Sequence, residues 1–207
     1  MTQRTARTPT QQRSRERQER ILQASSELIA AHGSDLLRMA EVAQKAGIPI
    51  GSLYQYFPDK SSVIQALAER FIAEGQQCSQ QELSQVKHPE DLPNALRRIT
   101  EGYHQMYLAE PALRDIWGAT QADKVLQQLD TQDIEVHAAM LCAVLERLYP
   151  GQPAADRSMP ALVLMQLITA TVRFALSFSP PQDRQVLETF QHMVVEPFCQ
   201  QLAGPAS

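Results

Sequence analysis

Apolar residues recur at third and fourth positions along almost the whole chain. Nowhere does apolar-polar alternation run long enough for a useful strand, so the chain reads as helical throughout. From Arg13 to His32 the apolar positions are Ile21, Ala24, Leu28 and Ala31, with Leu22 and Ile29 beside them, the spacing of a helix with one buried face. Gly33 follows as its terminator. A second, short helix fits Met39 to Ala46, with Met39, Val42, Ala43 and Ala46 inward, and Ala46-Gly47-Ile48-Pro49 is a turn. A third begins near Ile50, holds Leu53, Tyr54 and Phe57, and is broken by Pro58-Asp59, since proline cannot donate the helical hydrogen bond. Asp59 is placed to cap a long helix from Lys60 to about Val86 carrying Val63, Ile64, Leu67, Phe71 and Ile72.

Beyond this, Pro89 and Pro93 mark a break, and Leu92, Leu96, Ile99, Tyr103 and Met106 form the stripe of a helix ending near Glu110-Pro111. A short helix runs to Trp117. Residues 120–149 read as a helix, either unbroken or interrupted near Asp130-Thr131, with Ile134, Leu141, Val144, Leu145 and Leu148 inward. Pro150-Gly151-Gln152-Pro153 is a loop and Asp156 a cap. Met159 to Phe178 is apolar almost all round, and Pro180-Pro181 separates it from a last helix with Val186, Leu187, Phe190, Met193 and Val194. Two such helices need a partner surface, either in a second copy of the chain or within its own core.

The net charge of -4 hides a segregation. Residues 1–66 carry nine Lys and Arg against six Asp and Glu, a balance of +3, which leaves -7 for the remainder. Arg4, Arg7, Arg13, Arg15, Arg17 and Arg20 crowd the first twenty residues, so the basic part is N-terminal and suited to a polyanion. No run approaches the roughly 18 consecutive apolar residues of a membrane span, and no secretory signal is visible, which makes a cytoplasmic protein away from membranes the expectation. Cys78, Cys142 and Cys199 are odd in number and far apart, which argues against a disulfide framework or zinc knuckle and leaves buried thiols, with a redox switch as the alternative. None of the eight glycines forms a phosphate-cradling or dinucleotide loop, and no nucleophile-base pair or metal cluster is spaced for chemistry. An enzyme, a cofactor and a metal are therefore not expected.

A braced helix, a glycine turn and a second short helix form the supersecondary pattern of a major-groove reader. The stretches Arg20-Ile21-Leu22-Gln23-Ala24, Leu28-Ile29-Ala30-Ala31-His32-Gly33, Val42-Ala43-Gln44-Lys45-Ala46-Gly47-Ile48 and Gly51-Ser52-Leu53-Tyr54-Gln55-Tyr56-Phe57-Pro58-Asp59-Lys60 resemble, in order and spacing, the N-terminal domain of the TetR family of regulators over about fifty residues. The resemblance implies an all-α dimer: a basic flexible arm over 1–12, a three-helix helix-turn-helix domain on operator DNA over 13–66, and a larger helical effector-binding and dimerisation domain over 67–207. It also implies a homodimer contact through the helices near 159–178 and 183–202, which their own composition suits.

Carried onto this sequence, the recognition helix would expose Ile50, Gly51, Ser52, Gln55 and Tyr56, with Leu53 and Phe57 inward. Gln55 suits a base edge. Gly51 allows close approach of backbone to phosphate, Ser52 can donate to phosphate, Tyr54 resembles the family's phosphate-contacting tyrosine, and Lys60 would hold a neighbouring phosphate. The alternative for Tyr54 and Tyr56 is that they cap the small core. Two departures bear on DNA contact: Arg38 stands where many relatives carry a Ser or Thr cap, and Pro49-Ile50 replaces a commoner polar pair. Arg38 trades a cap for a phosphate contact, and Ile50 suits a thymine methyl. The arginine-rich arm suits the adjacent minor groove, the alternative being a solvated tail.

Tyr103, Met106, Tyr107, Trp117, Met140, Met165 and Phe174 fall on segments that in the family surround an effector cavity, and would suit a small hydrophobic or aromatic effector; the alternative is plain core. His104 and His137 are candidate polar anchors. The reading is a ligand-responsive repressor released from its operator by that effector, with an activator of the same fold or a helical protein-interaction module as alternatives.

Overall fold

A computed structural model describes residues 9–119, 123–150 and 155–203. Among the described residues there are ten α-helices and no strand: α1 (Pro9–His32), α2 (Met39–Lys45), α3 (Ile50–Tyr56), α4 (Lys60–Ser84), α5 (Leu92–Ala109), α6 (Pro111–Ala119), α7 (Lys124–Leu148), α8 (Ala155–Ala175), α9 (Gln182–Phe190) and α10 (Glu196–Ala203). A 3₁₀ turn over Pro89–Asp91 leads into α5, and a π-helical segment over Gln191–Val195 joins α9 to α10. The chain divides into two compact units. One holds the residues up to Glu69 together with those from Glu110 to Ala119, and the other holds Arg70–Ala109 and the residues from Asp123 onward. The expected domain boundary at 66/67 lies inside α4.

The helix terminators sit where the glycines stand. Gly33 (φ 86) and Gly47 (φ 66) adopt the left-handed backbone that ends α1 and follows α2, a conformation that costs a side-chain-bearing residue energy. In the first unit, α1 buries Ile21, Leu22, Ala24 and Ile29, but Ala31 is exposed and Leu28 only half-buried. The reason is α6, which packs on α1 and rotates the covered face. Ser26 Oγ donates to Glu110 Oε2 at 3.2 Å, and the backbone N–H of Ser34 donates to Asp115 Oδ2 at 2.7 Å. Ala112, Leu113 and Ile116 of α6 are fully buried. Helix α1 begins at Pro9, four residues before the expected start, so Pro9 to Gln12 extend the helix instead of the arm; proline's fixed φ suits a first helical turn. Arg4 and Arg7 lie outside the described residues.

Asp59 caps α4 through a reciprocal pair: its Oδ1 accepts from the Ser62 N–H at 2.7 Å, and its own N–H donates to Ser62 Oγ at 3.3 Å. Arg38, at the corresponding place before α2, makes no side-chain cap.

In the second unit α5, α7, α8 and α9 pack around Leu96, Ile99, Leu141, Leu145, Leu164, Ile168 and Val172. Helix α7 is unbroken through Asp130-Thr131 and is started by Asp123, whose Oδ1 accepts from the N–H groups of Val125 and Leu126 at 2.8 and 3.1 Å. Two glycines set a close approach of α4 to α5. A Cβ on Gly75 would meet the Tyr103 ring at 2.9 Å, and one on Gly102 would meet Cys78 Sγ at 2.9 Å. The side chain of the expected cap Asp156 lies outside the described residues, and its backbone is already inside α8. The loop beyond Pro150 is likewise not described.

The last helix departs from one continuous rod. Pro197 lacks the N–H that would bond the carbonyl of Met193 and its ring crowds that carbonyl, so the turn before it widens and the Glu196 N–H reaches Gln191 O instead. By length and composition Arg157–Ala175 could cross a membrane (mean hydropathy 1.4), yet it is built as a bundle helix, with Ala161, Leu164, Met165, Ile168, Val172 and Ala175 buried.

Asp59→Ala is expected to lower unfolding stability by about 0.5–2 kcal/mol, and Arg38→Ser to raise it by a few tenths to about 1 kcal/mol, as shifts of the urea midpoint at unchanged slope. An unchanged midpoint for both would contradict the capping account.

Candidate functional site

Helix α3 is seven residues long, and its geometry follows from two buried side chains. Leu53 is fully buried and Phe57 nearly so, both turned into the small core that α2 provides through Val42 and Ala43. The opposite side then faces outward: Ile50, Gly51, Tyr54 and Gln55 are exposed, and Ser52 is half-buried beside them. No atom would meet a Cβ on Gly51 within 4 Å, so the surface there is open. Tyr54, half-exposed, does not cap the core. Tyr56 is half-buried and its hydroxyl accepts from Ser14 Oγ at 3.2 Å, which ties α1 to α3. Arg13 and Arg15 flank that contact and, with Arg17 and Arg20, are exposed along α1.

The other expected cations are held differently. Lys60 is half-buried and its Nζ donates to the carbonyl of Asp35 at 3.0 Å, so the loop before α2 positions it. Arg38 is three-quarters exposed and 3.5 Å from Glu41. Lys45, which sequence reasoning passed over, bridges Glu27 of α1 at 2.8 Å; that hydrogen bond holds the Glu27 carboxyl below its usual range.

In the second unit Tyr103, Tyr107 and Met165 are buried, and Met106 and Met140 are half-buried. The two tyrosines belong to polar networks that the sequence did not reveal. Tyr103 Oη lies 2.5 Å from His137 Nε2. His137 Nδ1 is 2.7 Å from the Asp133 carbonyl and 3.2 Å from its carboxylate, which also accepts from Gln76 Nε2 at 2.8 Å. Tyr107 Oη accepts from Arg173 Nε at 3.1 Å, and Arg173 Nη2 pairs with Asp130 Oδ1 at 2.7 Å. Burial, foremost, and the Asp133 charge push the Tyr103 phenol up, and burial raises Tyr107 despite Arg173, so both stay protonated. Asp130, Asp133 and Arg173 lie four or more residues from any expected site residue except Phe174, which hid them.

Two of the expected ligand residues lie elsewhere. Trp117 belongs to the first unit, buried on α6. Phe174 is exposed and packs edge-to-face on Phe178 at 5.0 Å. It closes a stripe of exposed apolar residues, Met159, Val163, Leu167, Phe174 and Phe178, along α8 and its C-terminal end. Burial raises the thiol pKa of Cys78, Cys142 and Cys199, the last to about 12, so all three are poor nucleophiles near neutrality. Among the described residues no group of three or more His, Cys, Asp or Glu is arranged to hold a metal.

Burial works against the His137 imidazolium, but the hydrogen bond and charge of Asp133 outweigh it and hold the pKa above the ordinary 6.5. A group whose folded pKa is raised adds stability that is full below its unfolded pKa and is lost as pH rises through the folded value. Wild type should therefore lose this contribution on going upward from about pH 6.5. Asp133→Asn should flatten that loss and lower the His137 pKa in an NMR titration; an unmoved pKa would contradict the assignment.

Two family models match the chain: bacterial regulatory proteins, tetR family, over residues 21–67, and the tetracyclin repressor-like C-terminal domain over residues 90–202, more than half its length. The transcriptional repressor KstR of Rhodococcus jostii is 40% identical over 58 residues, 28% of this chain and 27% of that protein. The chain thus covers about a quarter of the length of the curated relatives it matches. A TetR-family transcriptional regulator from Mesorhizobium loti superposes with a TM-score of 0.74 at 18% identity, over 91% of this chain and 98% of that one. FadR of Bacillus subtilis, solved with stearoyl-CoA, superposes with a TM-score of 0.60 at 14% identity, over 91% and 99%. At these identities the structures show the fold alone, while the C-terminal family model covers more than half of the chain: the protein belongs to the TetR family of transcriptional regulators.

Proposed function

We propose that the protein is a cytoplasmic, homodimeric repressor that grips operator DNA through α3 and is released by a small hydrophobic or aromatic effector. The observation that carries the DNA reading is the division of α3, with Leu53 and Phe57 buried and Ile50, Gly51, Tyr54 and Gln55 left exposed on the outward side. On this reading Gln55 reads a base edge and Ile50 packs on a thymine methyl, while Ser52, Tyr54, Lys60 and Arg38 hold phosphates. Tyr56, bonded to Ser14, aligns the arginines of α1 beside α3.

The dimer reading is supported by the exposed α8 stripe, joined by Met193, which is 71% exposed. So long an apolar surface in a water-soluble regulator is best covered by the same surface of a second copy. Phe174 serves that contact. Tyr103, Met106, Tyr107, Met140 and Met165 remain as the effector side, with Trp117 an apolar residue of the first unit. The regulation is a population shift: the free dimer spaces its two α3 helices about 34–36 Å apart, or by a multiple of a helical turn, and the effector favours a spacing that no longer fits. The structure of FadR from Bacillus subtilis in complex with stearoyl-CoA supports the effector reading.

Anisotropy titration against duplexes from the protein's own upstream region tests the DNA claim. Tyr54→Ala and Lys60→Ala should each weaken specific binding by about 1–3 kcal/mol, and Lys60→Ala, which alone removes a charge, should also lower the salt slope by about 1. Variants that bind like wild type would remove those residues from the interface. Val163→Glu with Phe174→Glu should sediment as a monomer; a persistent dimer would move the contact off α8.

A further inference from the structure

A cleft of about 580 Å³ opens between α5 and the α9–π segment, within the second unit. That volume is in the range of small-molecule sites. None of Tyr103, Met106, Tyr107, Met140 and Met165 lines it, so it is separate from the proposed effector side. Each helix contributes an arginine followed one turn later by a glutamate: Arg97 and Glu101 from α5, Arg184 and Glu188 from α9. All four are exposed, and none forms a side-chain hydrogen bond or ion pair with another described residue. Leu187 supplies an apolar wall.

The floor is polar and incompletely satisfied. His104 is buried with its Nε2 3.4 Å from Asp183 Oδ2, also buried, yet Nε2 makes no hydrogen bond. The other two polar residues of the floor are committed to backbone carbonyls: Thr100 Oγ1 donates to Leu96 O and Gln191 Nε2 to Pro93 O. A buried polar atom that makes no hydrogen bond costs free energy that packing alone does not call for. The wall beside it is the start of the π segment, a local widening that recurs at functional sites.

We propose that this cleft binds a small zwitterion, of the amino-acid or short-peptide class. Two guanidinium groups suit a carboxylate, two carboxylates suit an ammonium, and a ligand carrying only one of these charges would leave one pair unmatched. The site also survives dimerisation. Residues 184, 188 and 191 lie on the side of the α9–π segment opposite Val186, Thr189 and Met193, so a partner covering the apolar side leaves the cleft open.

The test is calorimetric titration of the full-length protein with each of the twenty common L-amino acids, followed by analogues of the best binder lacking its α-ammonium or its α-carboxylate. Binding at about 10 mM or tighter is expected, with loss of about tenfold for either analogue. A like loss is expected in Arg97→Gln/Arg184→Gln and in Glu101→Gln/Glu188→Gln, whose exposed positions leave the fold intact. Lys87→Gln, an exposed cation outside the cleft, should bind as wild type. No binding across the twenty, equal binding of a one-charge analogue, or unchanged affinity in both double variants would overturn the proposal.

Discussion

A seven-residue helix has no stability of its own in water, because its nucleation cost is not repaid over so few residues. Helix α3 also lacks a side-chain cap, with Pro49 before it. It therefore stands on tertiary burial: Leu53 and Phe57 against Val42 and Ala43, with Gly47 turning the chain between the two helices. That requirement settles which residues face out. Once the third and seventh residues after Ile50 are spent on the core, Ile50, Gly51, Tyr54 and Gln55 are what remains on the outward side. The core of the first unit then extends through Ile21 and Ile29 of α1 to Leu113 and Ile116 of α6.

The second unit is organised by a different constraint. Its helices bury tyrosine and histidine beside half-buried arginine and aspartate, and each such group has to find a partner where solvation is poor. Tyr103 with His137 and Asp133, and Tyr107 with Arg173 and Asp130, meet that need by linking α5 to α7 and α8. The His137 imidazole is served in either charge state, since Tyr103 Oη can accept from a protonated Nε2 or donate to a neutral one. His104 Nε2, 3.4 Å from Asp183 Oδ2 but without a hydrogen bond, underlies the open cleft.

Much of the fold was legible in the sequence because its punctuation is chemical. Gly33 and Gly47 needed positive φ, Pro58 could not continue a helix, and Asp59 had a donor to cap; each acts through its nearest neighbours. The aspects of α3 were legible for the same reason, since Leu53 and Phe57 share one side of a short helix. What could not be read depended on distant partners. Ala31 turns outward and Ser25 and Ser26 inward because α6, some eighty residues on, covers that side of α1. The family resemblance places Phe174 on a cavity-lining segment, yet it sits on the outward stripe of α8, a distinction that needs the positions of α7 and α9. The π segment ahead of Pro197 is a local signal that a simple helical reading smooths over.

The central claim is that α3 reads duplex DNA as one half of a symmetric pair. Selection from a random duplex library, followed by hydroxyl-radical footprinting of the bound complex, tests it most directly. The account predicts a two-fold symmetric site with protected patches one helical turn, about 34–36 Å, or a multiple of it apart. A library that enriches nothing, or a footprint with one patch and no symmetry, would contradict it.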